Sequence, residues 1–346
     1  MIKQSNLPSL VDVVIEHRKI STELFDRVSI ILNSVNIEAE LNKYYQKGQS
    51  IDGRQSYNAV ILFKMLLLQY WYGLSDESIE ENVKDRISFS KFCGVAMDEP
   101  VPDSTVLSRF RSALAKQQAF DKLLELINQK LHTENLMVTK GVIVDASVTN
   151  SPRKPRGKKE YEVVEDRKED TEQTQQTTTT TLKVVEQSHV DKEGAWLKKA
   201  GKLHYGYKQH TATNQEGFVL GVHTTAANES DTKHLENTLN KITIDPRTPV
   251  YADKGYNSEA NDTVLKDKKL KNRIMYKALK NKPLTEIEKT INKKISQTRY
   301  KIERTFGSMK RWFKADGARY VGLTKTHAQH VIQALCYNLY RKPKVA

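Results

Sequence analysis

Gly141-Val142-Ile143-Val144-Asp145-Ala146-Ser147-Val148 divides the chain. Its first half is apolar at successive positions, the pattern of a strand buried on both faces in the middle of a sheet. An aspartate at the end of such a strand is costly to bury unless it is paired or metal-bound. Before this run the periodicity is helical. After it, strands and helices alternate.

Upstream, Leu10, Val13 and Val14, then Leu24, Val28, Ile31, Leu32 and Val35, predict helices across 7–47. The most apolar segment, 56–72, predicts a core helix. Ser75 or Asp76 can cap a short acidic helix over 76–85. Phe89, Phe92 and Cys93 continue a compact helical pattern, and Pro100-Val101-Pro102 breaks it. Asp103-Ser104-Thr105 then caps a helix expected to run from 105 to 133, with Arg109 and Arg111 on its polar positions. These elements predict an all-α domain over 1–136 with a helix-turn-helix-like cadence.

Downstream, residues 151–192 begin basic, turn acidic and end in a Gln/Thr-rich tract, which reads as a mobile insertion. Strands are expected over 205–213 and 218–225, joined by Asn214-Gln215-Glu216-Gly217 as a hairpin turn. Asp231 is expected to cap a helix starting at 232. Pro249-Val250-Tyr251-Ala252-Asp253 reads as another short strand ending in an acid, with Gly255 supplying the turn. Ser258 caps a helix over 259–266, and 273–276 reads as a last strand. A basic link leads to a helix over 296–313, and His327 to Tyr340 predicts a final amphipathic helix with His327 and His330 on the surface. The order gives an α/β domain over 137–346, a mixed five-stranded sheet with flanking helices.

On the 296–313 helix, Ile302, Phe306, Met309 and Phe313 form an apolar stripe, and Arg299, Glu303 and Lys310 fall on a second stripe beside it. An i,i+4 pair between Arg299 and Glu303 is the ordinary expectation there. The charge distribution argues for more. The chain carries a net +14, yet the stretch from Lys266 to Lys314 holds 17 basic and 4 acidic residues, against 39 and 38 elsewhere. Such a localised positive field, interleaved with Tyr276, Tyr300 and Trp312, is the footprint of a nucleic-acid partner. Two distant cysteines offer no disulfide framework. The opening Met1-Ile2-Lys3-Gln4-Ser5-Asn6 lacks an apolar signal core, and no apolar run is long enough to span a bilayer, so a cytosolic protein with no membrane partner is expected.

Asp145 and Asp253 end strands, and Glu303 lies on the helix after the last strand. Strand ends and facing helix positions converge on one crevice in such sheets. Three carboxylates there can hold two hard divalent ions, Mg²⁺ or Mn²⁺, which stabilise attacking and leaving oxygens in phosphoryl transfer. No Cys/His cluster has zinc spacing, and no glycine loop cradles a phosphate.

In sequence order these pieces resemble the insertion-sequence DDE transposases of bacteria, in the branch with a helical N-terminal domain (the families numbered four and five). The resemblance rests on Pro102 to Arg111, Val144-Asp145-Ala146-Ser147 and Tyr205-Gly206-Tyr207-Lys208 with His210. It rests equally on Tyr251-Ala252-Asp253-Lys254-Gly255-Tyr256, and on Arg299, Glu303 and Lys310 around Glu303-Arg304-Thr305-Phe306-Gly307. One departure is Ser296, where the family pattern places a tyrosine. The resemblance implies an RNase H-like catalytic domain with Asp145, Asp253 and Glu303 as catalytic metal ligands for two Mg²⁺, Mn²⁺ substituting. It implies terminal inverted repeats and target DNA as substrates, homo-oligomers that synapse two ends, and a bacterial cytosolic, nucleoid-associated location. Cleavage would leave 3′-hydroxyls that are then joined to target DNA. Arg299 and Lys310 would touch phosphate, and Lys254, Lys208, Arg304, Arg311, Arg109 and Arg111 are further candidates for DNA contact.

Overall fold

In the computed structural model the described residues are 10–45, 56–156, 161–167, 178–184, 189–278 and 283–341. The opening Met1–Asn6 segment and most of the Gln/Thr tract lie outside them.

The helical part comprises α1 (Leu10–His17), α2 (Glu23–Ser34), α3 (Ile37–Tyr44), α4 (Ala59–Tyr72), α5 (Asp76–Asp85), α6 (Ile87–Cys93), α7 (Ser104–Lys116) and α8 (Ala119–Thr133). The boundaries follow from local chemistry. Asn58 caps α4 by accepting from Val60 N, and Gly73 ends it at φ 64°. Ser75 caps α5, and Asp103 caps α7 by accepting from Thr105 N and Val106 N. The single helix expected over 105–133 is in fact two. Gln118 adopts a left-handed conformation at φ 53°, a turn that non-glycine residues take less readily and that the sequence does not advertise. The break lets Phe110 and Leu114 of α7 and Phe120, Leu124 and Ile127 of α8 share one core.

The main sheet has six strands: β1 (Val142–Asn150), β4 (Ala195–Lys199), β5 (Lys202–Asn214), β6 (Val219–Ala226), β7 (Pro249–Ala252) and β8 (Lys271–Ile274). β1 runs antiparallel to β5 on one side and parallel to β7 on the other. β8 extends the sheet beyond β7, parallel to it, and β4 and β6 both pair antiparallel with β5. β4 is the strand beyond the expected five. It turns into β5 through Ala200 and Gly201, both at positive φ, a tight hairpin built without the usual Asn-Gly signal. β8 begins two residues before the expected strand and leaves Tyr276 outside. The turn after β7 needs no left-handed residue. Asp253 caps a 3-10 turn over Lys254–Tyr256 with its side chain, and Gly255 has no positive φ.

The described part of the insertion holds regular structure that its composition does not suggest. β2 (Tyr161–Arg167) and β3 (Thr178–Val184) form their own antiparallel ladder, in keeping with the strand preference of threonine and valine. Its base is clipped to the sheet by Asp191, which is fully buried. The Asp191 carboxylate accepts from Tyr207 Oη at 2.7 Å and Ser151 Oγ at 3.2 Å. Its backbone N–H donates to Arg153 O at 2.9 Å. A buried carboxylate so satisfied fixes where the insertion leaves and rejoins.

The remaining helices are α9 (Leu235–Leu239), α10 (Glu259–Asp267), α11 (Glu286–Phe313) and α12 (Leu323–Tyr340). α11 begins at Glu286 rather than Ser296, fixed by a Thr285–Glu288 capping box within the basic link. α12 is not an amphipathic surface helix. It is buried all round, packed between the sheet (β5 and β6) and helices α4, α7 and α8. Its polar residues are satisfied inside: Asn338 donates to Asn128 Oδ1 at 2.8 Å and to Val219 O at 2.7 Å. His330 bonds Thr149 and Thr224, both at 2.9 Å, and His327 bonds Asp121 at 2.9 Å and Thr224 at 3.0 Å. Neither histidine is a surface residue. Together they join α8, β6 and the end of β1. One hydrophobic core therefore runs from the N-terminal helices through β6 and α12 to the end of α11.

Candidate active site

The parallel pairing of β1 with β7 sets Val144 opposite Ala252. The next residue in each case is an aspartate, so Asp145 and Asp253 stand side by side where the parallel β1–β7 pairing stops; Asp145 does not end its strand as expected, because β1 runs on to Asn150 along β5. Val142, Val144, Val250 and Ala252 are fully buried beneath them, which makes the platform rigid. Asp145 Oδ1 accepts from Ala146 N at 2.8 Å, and Asp253 Oδ1 accepts from Lys254 N at 2.7 Å.

α11 lies against β1 and β7 and delivers Arg299 to the acids. The guanidinium Nη2 donates to Asp145 Oδ2 at 2.8 Å, and Nη1 lies 3.5 Å from Asp253 Oδ1. Arg299 is 8% exposed. The expected pair between Arg299 and Glu303 does not form. Periodicity placed both residues on one stripe but could not say which of them the sheet would face. Arg299 turns inward, and Glu303, one turn later, is exposed and makes no hydrogen bond or ion pair among the described residues. Two of the three acids are thus brought together, and the third stands one turn away. No group of three or more His, Cys, Asp and Glu side chains is gathered closely enough to hold a metal among the described residues.

Burial raises the Asp145 carboxyl above its ordinary range, and Asp253 adds to the rise, while Arg299 pulls it back down. Tyr256, a residue the sequence did not single out, completes the crevice. Its hydroxyl is buried, has no hydrogen-bond partner among the described residues, and senses the charges of Asp145, Asp231, Arg299 and Asp253. The Asp-Lys-Gly-Tyr spacing after β7 was its only signal.

The basic candidates divide. Lys254, Arg304, Lys310, Arg311 and Arg109 are exposed. Desolvation lowers the Lys310 ammonium, and the charge of Lys199 on β4 adds to the lowering. Lys208 and Arg111 are both engaged within the protein. Lys208 donates to Glu229 O at 2.6 Å and pairs with Asp231 at 2.9 Å. Asp231 accordingly serves as that lysine's partner and makes no helix cap. Arg111 is buried, paired in a bidentate fork with Asp76 (2.8 Å to each oxygen), and stacked under Tyr320. Arg111→Ala is expected to destabilise the fold by about 2 kcal/mol, less than a fully buried pair because Asp76 keeps some solvent. Chemical denaturation checks this, and an unchanged midpoint with weakened DNA binding would restore Arg111 as a contact.

No helix among the described residues is long and apolar enough to cross a membrane. A family model described as "Transposase DDE domain" matches residues 138–339. A second, "Transposase domain (DUF772)", matches residues 13–113. The transposase for insertion sequence element IS1106 from Neisseria meningitidis serogroup B is 39% identical over 236 residues, which span 67% of this chain and 76% of that protein. No solved structure matches the chain. With the catalytic-domain model running from just before β1 nearly to the end of α12, the chain belongs to the insertion-sequence DDE transposases, whose catalytic domain has the RNase H-like fold.

Proposed function

We propose that this transposase binds the terminal inverted repeats of its element and cleaves and joins DNA with divalent ions held by Asp145, Asp253 and Glu303. The observation that carries the reading is the pair of aspartates on adjacent strands, where the β1–β7 pairing stops, with a buried cation between them. An all-oxygen donor set of this kind suits Mg²⁺ or Mn²⁺, and a site that already holds a positive charge between its carboxylates fits a cation chemically. When bound, two ions supply Lewis-acid stabilisation of the attacking and leaving oxygens.

The protein's own residues do the rest. Asp145 and Asp253 are fixed by the sheet, and Glu303 closes from α11 as the third ligand. The exposed cations Arg304, Lys310 and Arg311 line one helix, and Lys199 with Lys310 offers two charges to one phosphate. Lys254 follows Asp253 directly, where the scissile strand must pass. The helical part, residues 1–136, is the unit we assign to recognition of the repeat, with Arg109 on its exposed side. Synapsis of two ends requires at least two protomers, and the enzyme would work in the bacterial cytosol on nucleoid DNA.

The test is an in vitro reaction with a duplex carrying the element's terminal repeat, Mg²⁺ and a target plasmid. Nicked ends followed by joined products are expected, both abolished by chelator. Cleavage without joined products would reduce the reading to a nuclease, and binding without any metal-dependent product would remove the catalytic assignment.

A further inference from the structure

Arg299 sits where positive charge is needed between Asp145 and Asp253, and it is poorly satisfied there. It reaches Asp145 through one nitrogen at 2.8 Å and Asp253 through the other at 3.5 Å, a split contact and not the bidentate fork that arginine forms with one carboxylate. Its remaining polar contact is a weak one, Nη1 to Met275 Sδ at 3.7 Å. Its Nε is buried without a partner among the described residues. By contrast Arg111, elsewhere in the molecule, makes the full fork with Asp76 at 2.8 Å to each oxygen. Leaving a buried guanidinium N–H unpaired is unfavourable, so Arg299 gains by moving to an acceptor that can take its whole edge. A DNA phosphate is such an acceptor.

We infer that Arg299 is a placeholder cation: in the DNA-free protein it closes Asp145 and Asp253 against metal, and a backbone phosphate draws it off, so that metal loading depends on DNA. The inference rests on the reading of those acids as metal ligands. One carboxylate oxygen cannot give the same lone pair to a guanidinium and to a metal ion. One guanidinium also balances only half the charge of the pair, which keeps the site dependent on further cations. Glu303, one turn on and unpartnered, is left free to swing in once the helix face carrying Arg299 engages DNA. Because binding free energies are reciprocal, metal must tighten DNA binding by the same factor by which DNA tightens metal. The consequence is an enzyme whose cleaving centre does not assemble away from its substrate.

The experiment measures Mn²⁺ affinity by electron paramagnetic resonance on the full-length protein, with and without a short duplex carrying the terminal repeat. For wild type, DNA is expected to tighten Mn²⁺ by about tenfold or more. Arg299→Gln is expected to bind Mn²⁺ about tenfold tighter than wild type in the absence of DNA, and to lose most of the response to DNA. An Arg299→Gln protein that is folded, as its melting curve reports, yet binds Mn²⁺ no tighter than wild type overturns the inference. If that variant does not fold, wild-type protein with ¹⁵N-labelled arginine decides. The Arg299 guanidinium resonance must shift on addition of DNA and Mg²⁺, and a resonance unchanged at saturation overturns the inference equally. Asp145→Asn is the separate control. If it binds Mn²⁺ as wild type does in the presence of DNA, the metal-ligand reading itself fails, whatever Arg299 does.

Discussion

Asp145→Asn and Asp253→Asn are each expected to lower metal-dependent nicking by more than about a thousandfold, equivalent to about 4 kcal/mol of barrier. DNA binding should stay within about tenfold of wild type, because the exposed cations are untouched. The asparagine keeps the local geometry. Its amide oxygen can still accept from Ala146 N or Lys254 N, as the native carboxylates do at 2.8 and 2.7 Å. What is lost is the negative charge, which is what a hard cation requires. Glu303→Gln should behave in the same way despite standing apart from the pair, since its role begins only when substrate is present. The measurement is single-turnover nicking with DNA binding followed in parallel. A variant that retains wild-type nicking would remove its residue from the reaction, and a variant that loses binding and nicking together would point to structural damage.

Acid sensitivity is the second large effect. Burial lowers the imidazole of His330 to about 3, that of His223 to about 4 and that of His210 to about 2, each lowered further by neighbouring cationic or histidine groups. In the unfolded chain each histidine titrates near 6.5. Below that value the unfolded state binds more protons than the folded one, so stability is complete above pH 6.5 and falls as pH drops toward the folded values. Each group contributes about 1.4 kcal/mol per pH unit, so at pH 5 the three together remove about 6 kcal/mol. The Asp145 carboxyl acts in the opposite sense, since its raised folded value favours the acid-bound native state, but it is one group against three. A loss of that size is comparable to the whole stability of a typical domain. Melting temperature measured from pH 7.5 to pH 5 at fixed ionic strength should fall steeply below pH 6.5. A flat profile would mean that these rings are hydrated in solution.

The central strand, the two aspartates and the late basic helix could all be read in the sequence, because each had a local signature, although β1 runs on past Asp145 to Asn150. Val142 to Val144 are apolar on both faces, Asp253 precedes a turn, and α11 shows two stripes at helical spacing. Where the chain departs from expectation, the deciding contact lies far away in sequence. Arg299 was read against Glu303, four residues off, whereas its partners are 154 and 46 positions away. Arg111 looked like an exposed cation because its partner, Asp76, is 35 residues earlier. His327, His330 and Asn338 look like surface residues until their partners on α8, β1 and β6 are known. Polar side chains that satisfy one another in a core have no distinctive pattern of their own. The break at Gln118 was missed because a non-glycine residue takes the left-handed backbone there, and β4 because its turn carries only one glycine, Gly201, after a left-handed Ala200.

The burial of α12 has a consequence for how the protein is made. The N-terminal helices leave the ribosome first, but the surface they close upon lies at the far end of the chain. Trp71 Nε1 donates to Cys336 O, and Arg27 donates to Leu339 O, across separations of 265 and 312 residues. At about 5–20 residues per second, roughly 13–53 seconds pass between the emergence of α4 and that of α12. Throughout that interval the nascent helices expose the apolar faces meant for α12 and are open to chaperones. Completion of the core thereby waits for α12 to emerge, and a chain interrupted before residue 323 lacks the central helix of its fold.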